Sequence, residues 1–283
     1  MKQILFTTAI ITLLLTSCSV EFLPHERIIA SGRIATKTVY IPGSINRVSV
    51  SGIIDLHLFL GEEARIEIHA DDNVLPHITM RQTPEVDGLE IYTGGVSFVG
   101  HAPEITVYLT LKDLRELRFS GRRSTDYMAS GKRTTAHLHL LPEQTLVSDR
   151  LSISASGTSS VYFETYGRLD ANRLAITLSG ASSFRGDNIS AGTINATLSG
   201  SSTLNLAGES TQFYLTSSGT SRTRAFDLIS DHLNARLSGS SNAQVTVQET
   251  LRATLSGSSW LIYAGNPDIL HSQTSGVSSL RRW

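Results

Sequence analysis

The sequence predicts an all-β fold: a right-handed parallel β-helix of about 18–23 residues per coil, with a more irregular β-rich N-terminal part. Three observations predict it. A Ser-Gly pair recurs with its glycine at Gly157, Gly180, Gly200, Gly219, Gly239, Gly257 and Gly276, in steps of 23, 20, 19, 20, 18 and 19 residues. Around each pair, apolar and polar residues alternate. Two residues after each of these glycines stands a serine: Ser159, Ser182, Ser202, Ser221, Ser241, Ser259 and Ser278. Repetition at this scale dictates the architecture before any local motif does.

The elements follow in chain order. Residues 1–17 read as a lipoprotein signal peptide: Met1-Lys2 gives a positive start and residues 4–15 form an apolar run too short to span a membrane comfortably. Leu15-Thr16-Ser17-Cys18 resembles a bacterial lipobox, which implies cleavage before Cys18 and lipidation of its thiol. Each acyl methylene buried in a bilayer contributes about 0.8 kcal/mol, so several chains anchor a protein stably. Ser19, rather than Asp, follows the cysteine and is compatible with the outer membrane. Cys18 is the only cysteine, which excludes an internal disulfide. Residues 18–33 are expected to form a linker, and residues 34–283 a single β-helical domain. No later apolar run reaches 18 residues, so the mature chain is expected to be soluble apart from its lipid.

Residues 34–150 carry a looser strand pattern. Val48 and Val50, then Ile54, Leu56, Leu58 and Leu60, then Ile66 and Ile68 alternate with polar residues. Gly61-Glu62-Glu63 reads as a hairpin-like turn. Asp71 through Pro76 reads as a turn or single helical turn, and Ser120-Gly121 as an early repeat. This half is suited to capping an open end of the stack, which would otherwise template aggregation.

Residues 151–283 hold the regular repeats. With the serine of each pair as position zero, position −1 holds Ala155, Leu178, Leu198, Ser217, Leu237, Leu255 and Thr274. Position −3 runs from Ile153 to Ser272, position −5 from Leu151 to Leu270, and position +5 from Val161 to Leu280. Odd positions are mostly apolar and even ones mostly polar, as on a strand with one buried face. Each unit therefore reads as strand, Ser-Gly bend, strand, second bend. One unit cannot bury its own apolar face, but units stacked in parallel can. Glycine takes the positive φ of a tight corner without steric cost. The serines at +3 are expected to form a column of hydroxyls bonded along the stack.

"VSVSGIIDLHLFLGEEARIEIHADDNVLPHI", "GLEIYTGG", "VYLTLKDLRELRFSG" and the serial "LSGSS" units, in that order, resemble the auto-transporter adhesin head (GIN) domain family, common in Bacteroidetes. The resemblance covers roughly residues 34–270. It implies a β-helical fold, an envelope location and frequent lipoprotein status, and it carries over no catalytic residues.

Net charge is −1, with 17% charged residues, so no global field draws the chain to nucleic acid or anionic lipid. Arg118, Arg122, Arg123, Lys132 and Arg133 make a local basic patch that reads as charged turns. No aromatics interleave with them, so nucleic acid is not an expected partner. His137 and His139 share a strand face, but no cysteine or paired acid completes a metal set. Asp71-Asp72-Asn73 lacks the spaced oxygens of a calcium loop. Glu164, Asp187, Glu209, Asp227, Glu249 and Asp268 supply about one acid per repeat and read as a solvated rim. Trp260, Tyr263 and Trp283 read as a plug at the end of the core. Seven equivalent serines without a Gly-x-Ser-x-Gly elbow do not make a nucleophile. No catalytic, cofactor or metal residues are expected.

The functional expectation is a non-catalytic cell-envelope lipoprotein in the outer membrane, on its surface or periplasmic face, with an adhesin-like or structural role. Its expected partners are the membrane, through the lipid on Cys18, then a glycan or protein ligand, and a second copy of itself. The alternative is a polysaccharide-acting lyase or hydrolase on the same scaffold.

Overall fold

The computed structural model describes residues 26–94, 96–100, 102–121, 134–164 and 166–283. The described residues contain no α-helix; two 3-10 turns, Leu75–His77 and Pro84–Val86, interrupt strands. Nineteen strands join one mixed, mostly parallel sheet, and Glu26–Ile28 pairs with Val96–Phe98 separately.

The repeat region stacks as its periodicity predicts. Strands Arg168–Leu178, Ser183–Leu198, Thr203–Ser217, Arg222–Leu237 and Asn242–Leu255 pair in parallel, each on the next. Position −1 is a single file: Ala155, Leu178, Leu198, Ser217, Leu237, Leu255 and Thr274 are successive partners. So is position +5, from Val161 through Phe184, Leu204, Thr223, Ala243 and Leu261 to Leu280. Each long strand bends midway. Pairing of Ser183–Leu198 with the next strand shifts register between Gly186 and Ile189, which separates the +5 ladder from the −1 ladder. At the last repeat the prediction slips by one residue. Leu251 faces Ile269 rather than Leu270, because the register shifts immediately after it, and strand Asp268–Thr274 is exposed throughout.

The corner chemistry explains "LSGSS". The seven repeat glycines all have φ between 70° and 74°. The +3 serines do not form a hydroxyl-to-hydroxyl column. Ser202, Ser221 and Ser241 each donate 2.8 Å back to the carbonyl of Ser199, Ser218 and Ser238, closing their own turns. Longer bonds reach a neighbouring repeat: Ser182 to the Ala155 carbonyl at 3.1 Å, and Ser241 to that of Ser217 at 3.3 Å. The backbone carbonyls are the nearer acceptors; those of Ala155 and Ser217 also accept the Ser179 and Ser238 amides, each at 2.9 Å. One +3 serine does meet another hydroxyl: Ser221 lies 2.6 Å from Ser217, a polar member of the −1 file.

The N-terminal half carries the same parallel stacking further than its spacing suggests. Strand Arg47–Ser51 lies between Gly88–Thr93 and Glu116–Ser120, and the latter pairs in turn with Thr145–Ser156. Ser120 faces Ser156, so Ser120-Gly121 is an early repeat in space as well as in sequence. Antiparallel strands flank this stack: Ile34–Tyr40 on Arg65–Asp71, Arg65–Asp71 on Ile105–Leu111, and Ile78–Thr83 on Gly88–Thr93. Gly61-Glu62-Glu63 is not a hairpin. Strands Asp55–Leu60 and Arg65–Asp71 do not pair; Ile105–Leu111 lies between them, parallel to the first and antiparallel to the second. The turn passes over the end of that inserted strand, with the Gly61 amide on the Leu111 carbonyl at 3.0 Å.

One buried apolar cluster runs from Ile28 to Tyr263, so both halves share a core. Trp283 does not plug its end. It is 80% exposed and sits 5.4 Å from the Phe226 ring on the outside; Tyr263 is buried, and Trp260 half-buried.

Candidate binding surface

Cys18, the signal segment, and Arg122, Arg123, Lys132 and Arg133 lie outside the described residues. Arg118, the remaining member of the basic patch, pairs with Glu116.

The stretch Asp71-Asp72-Asn73 is a capped turn. Asp71 accepts from the Gly32 amide at 2.6 Å, Asp72 from the Ser31 hydroxyl at 2.6 Å, and Asn73 from the Ser31 amide at 3.1 Å. The Ser31 hydroxyl, and after it the Arg33 guanidinium 2.9 Å away, hold the Asp72 carboxyl below its ordinary range. These bonds tie residues 29–33 onto the sheet, and the Glu26–Ile28 pairing holds the chain just before them.

The predicted acidic rim does not gather. Asp187 pairs with Arg185 at 3.0 Å, Glu209 with Arg168 at 2.9 Å, and Glu249 with His232 at 3.5 Å. Across the ladders Glu209 faces Ser190 and Ile229, not another acid. The Glu164 side chain lies outside the described ones.

His137 and His139 belong to a larger arrangement. Tyr108, His57, His137 and Tyr162 are successive partners on four parallel strands. Their rings stack at 5.1, 5.2 and 5.0 Å, close to the spacing of neighbouring strands. His57 Nδ1 lies 2.7 Å from His139 Nε2, so one ring donates and the other accepts. Asp55 stands 3.4 Å from His57 and 3.7 Å from His137. His57 and His137 are each flanked by two of these rings. Among the described residues no group of three or more His, Cys, Asp or Glu side chains is arranged to hold a metal ion. Alternation about Leu56 and Leu58 puts His57 on the solvent side. Its histidine partners His137 and His139 stand about eighty residues away, beyond the reach of local patterning.

Another face carries a groove of about 740 Å³. Its floor follows the file Arg47, Glu116, Ser152, Ala175 and Asn195 across five strands. It is hollow because Ser152 and Ala175 are short. The next member of the file is Tyr214, which ends the hollow. Arg115, Arg150 and Arg173 stand along its sides. No sequence motif marks it, since its members come from five separate segments.

A family model described as "Putative auto-transporter adhesin, head GIN domain" matches residues 45–267. This chain belongs to that family. The GIN domain here also resembles solved structures across nearly its full length. A crystal structure described as a putative adhesin from Parabacteroides merdae ATCC 43184 has a TM-score of 0.74 at 19% identity, covering 91% of this chain and 99% of that one. One from Parabacteroides distasonis ATCC 8503, also described as a putative adhesin, has a TM-score of 0.75 at 16% identity, covering 91% and 100%. A "Putative lipid binding protein" from the same organism has a TM-score of 0.70 at 14% identity, again covering 91% and 100%. At these identities the likeness to the GIN domain is one of fold. No curated protein matches the chain.

Proposed function

We propose that this GIN-domain chain is a non-catalytic, adhesin-like lipoprotein of the bacterial cell envelope, carried on a right-handed parallel β-helix of 18–23 residues per coil. The observation that carries the reading is the in-register file of repeats, which directs apolar residues inward and leaves long, regular, polar faces outward. A rigid stack of this kind presents a surface to a partner. The handedness follows the strong preference of parallel crossovers. A lyase or hydrolase needs free acids placed together, whereas Asp187, Glu209 and Glu249 of the rim are each engaged by a basic side chain.

In this reading residues 1–17 are a signal peptide, Cys18 carries the lipid, residues 18–33 lead from it into the fold, with 26–33 already tied to its strands, and residues 34–283 form the domain. The anchor lies in the outer membrane. The family's adhesin name and the Cys18 context both support an envelope location.

Two measurements test this. Cells expressing the full chain should incorporate radiolabelled palmitate into it, and C18A should not; label retained in C18A would overturn the anchor. Protease treatment of intact cells should degrade a surface-exposed domain. Complete protection with intact outer membranes, and digestion only after permeabilisation, would confine it to the periplasm and sink the adhesin role.

A further inference from the structure

The groove along the file from Arg47 to Asn195 has a charge arrangement that its composition conceals. Three acids line it: Asp113, Glu116 and Asp149. Each is already engaged, Asp113 with Arg115 at 3.2 Å, Glu116 with Arg118, and Asp149 with Arg150 at 3.8 Å and the Asn172 amide at 3.0 Å. Arg47 and Arg173 are exposed and have no carboxylate partner among the described residues. The groove therefore presents two uncommitted guanidiniums over neutralised walls and a floor of short side chains.

Their positions define a length. Arg47 lies on strand Arg47–Ser51 and Arg173 on Arg168–Leu178, with Glu116–Ser120 and Thr145–Ser156 between. Three strand spacings separate them, about 14 Å along the stack. A guanidinium presents a rigid fork of donors that matches a carboxylate or sulfate bidentately. Two such forks at that spacing suit an elongated ligand with repeated acidic groups.

We infer that this groove binds an acidic oligosaccharide lying along the stack, with Arg47 and Arg173 each holding one of its anionic groups. The inference rests on the adhesin-like reading above and names the ligand class for it.

The test is calorimetric titration of the full chain with hexagalacturonate, maltohexaose and inorganic phosphate. Hexagalacturonate should bind and the neutral hexaose should not. Raising NaCl from about 50 to about 500 mM should weaken the binding. R47Q/R173Q should lose at least tenfold in affinity, whereas R222Q/R281Q, on the other ladder, should match the unaltered chain. A175W, which fills the floor and leaves both arginines, should also lose at least tenfold; it decides the matter if the arginine variant fails to fold. Equal binding by R47Q/R173Q or by A175W would overturn the site. So would phosphate binding without oligosaccharide binding, or no binding of either. Palmitate labelling and protease accessibility are independent of this ligand, so the envelope reading can stand if the groove fails.

Discussion

A methyl group placed on Gly219 would stand 2.6 Å from the carbonyl oxygen of Gly200, one repeat below it. That oxygen is also the acceptor for the Thr220 amide at 2.8 Å. The glycine file is thus fixed twice, by a positive φ and by backbone contact between repeats.

The two constraints can be separated. Gly32 has φ 75°, nearly that of Gly219 at 74°, but open space where a Cβ would go. G32A should cost only the left-handed penalty, about 1–2 kcal/mol. G219A should cost more than G32A, because the repeats must also move apart. Urea unfolding of both variants checks this, and equal losses would mean that the contact is relieved without cost.

Ser241 is fully buried, and its hydroxyl serves the carbonyls of Ser238 and Ser217. S241A should destabilise by about 1–3 kcal/mol, since it leaves buried acceptors with fewer donors. Denaturant midpoints at unchanged slope give the value; a neutral S241A would show that these carbonyls are satisfied by their ladder bonds alone.

Thr223 occupies the +5 file between Leu204 and Ala243, and its hydroxyl is buried without a hydrogen-bond partner. T223V removes that polar atom and keeps the shape. It should raise stability by about 1 kcal/mol, read as a higher melting temperature. A lower one would mean that the hydroxyl has a partner in solution.

Glu67 accepts from His69 at 2.7 Å and from Arg65 at 2.8 Å. The His69 hydrogen bond is the larger cause holding its carboxyl below the ordinary value, with burial opposing and Arg65 assisting. A folded-state value below the unfolded one stabilises fully above the unfolded value, about 4.3, and the contribution disappears as pH falls through the lower folded value. E67Q should therefore flatten the acid side of the stability profile below about pH 4.3. An unaltered acid limb in E67Q would show that the pair contributes nothing.

The repeat half was legible because its information is local and redundant. Leu198 is apolar for the same reason as Leu237 and Leu255, and the repeated offset shows which residues share a file. The front half was less so. The Gly61 turn looked like a hairpin because nothing nearby reveals that residues 105–111 come between its two strands. The serine column was placed correctly, but its bonds were not, because sequence shows the hydroxyl and not the carbonyl closest to it. The groove was illegible for a simpler reason: a hollow made by Ser152 and Ala175 is a matter of which neighbours are larger, and those are assigned by the stacking.

The register shift between Gly186 and Ile189 lets a repeat change length without disturbing its corner. Steps of 18 and of 23 residues both return the chain to the same glycine position. Height in this molecule is accordingly countable. Copying one whole module between Leu237 and Asn242 would raise the tower by a single storey of about 4.8 Å. Its neighbours would meet edges of the kind they already meet, so gene duplication alone is enough to set how many repeats such a stack contains.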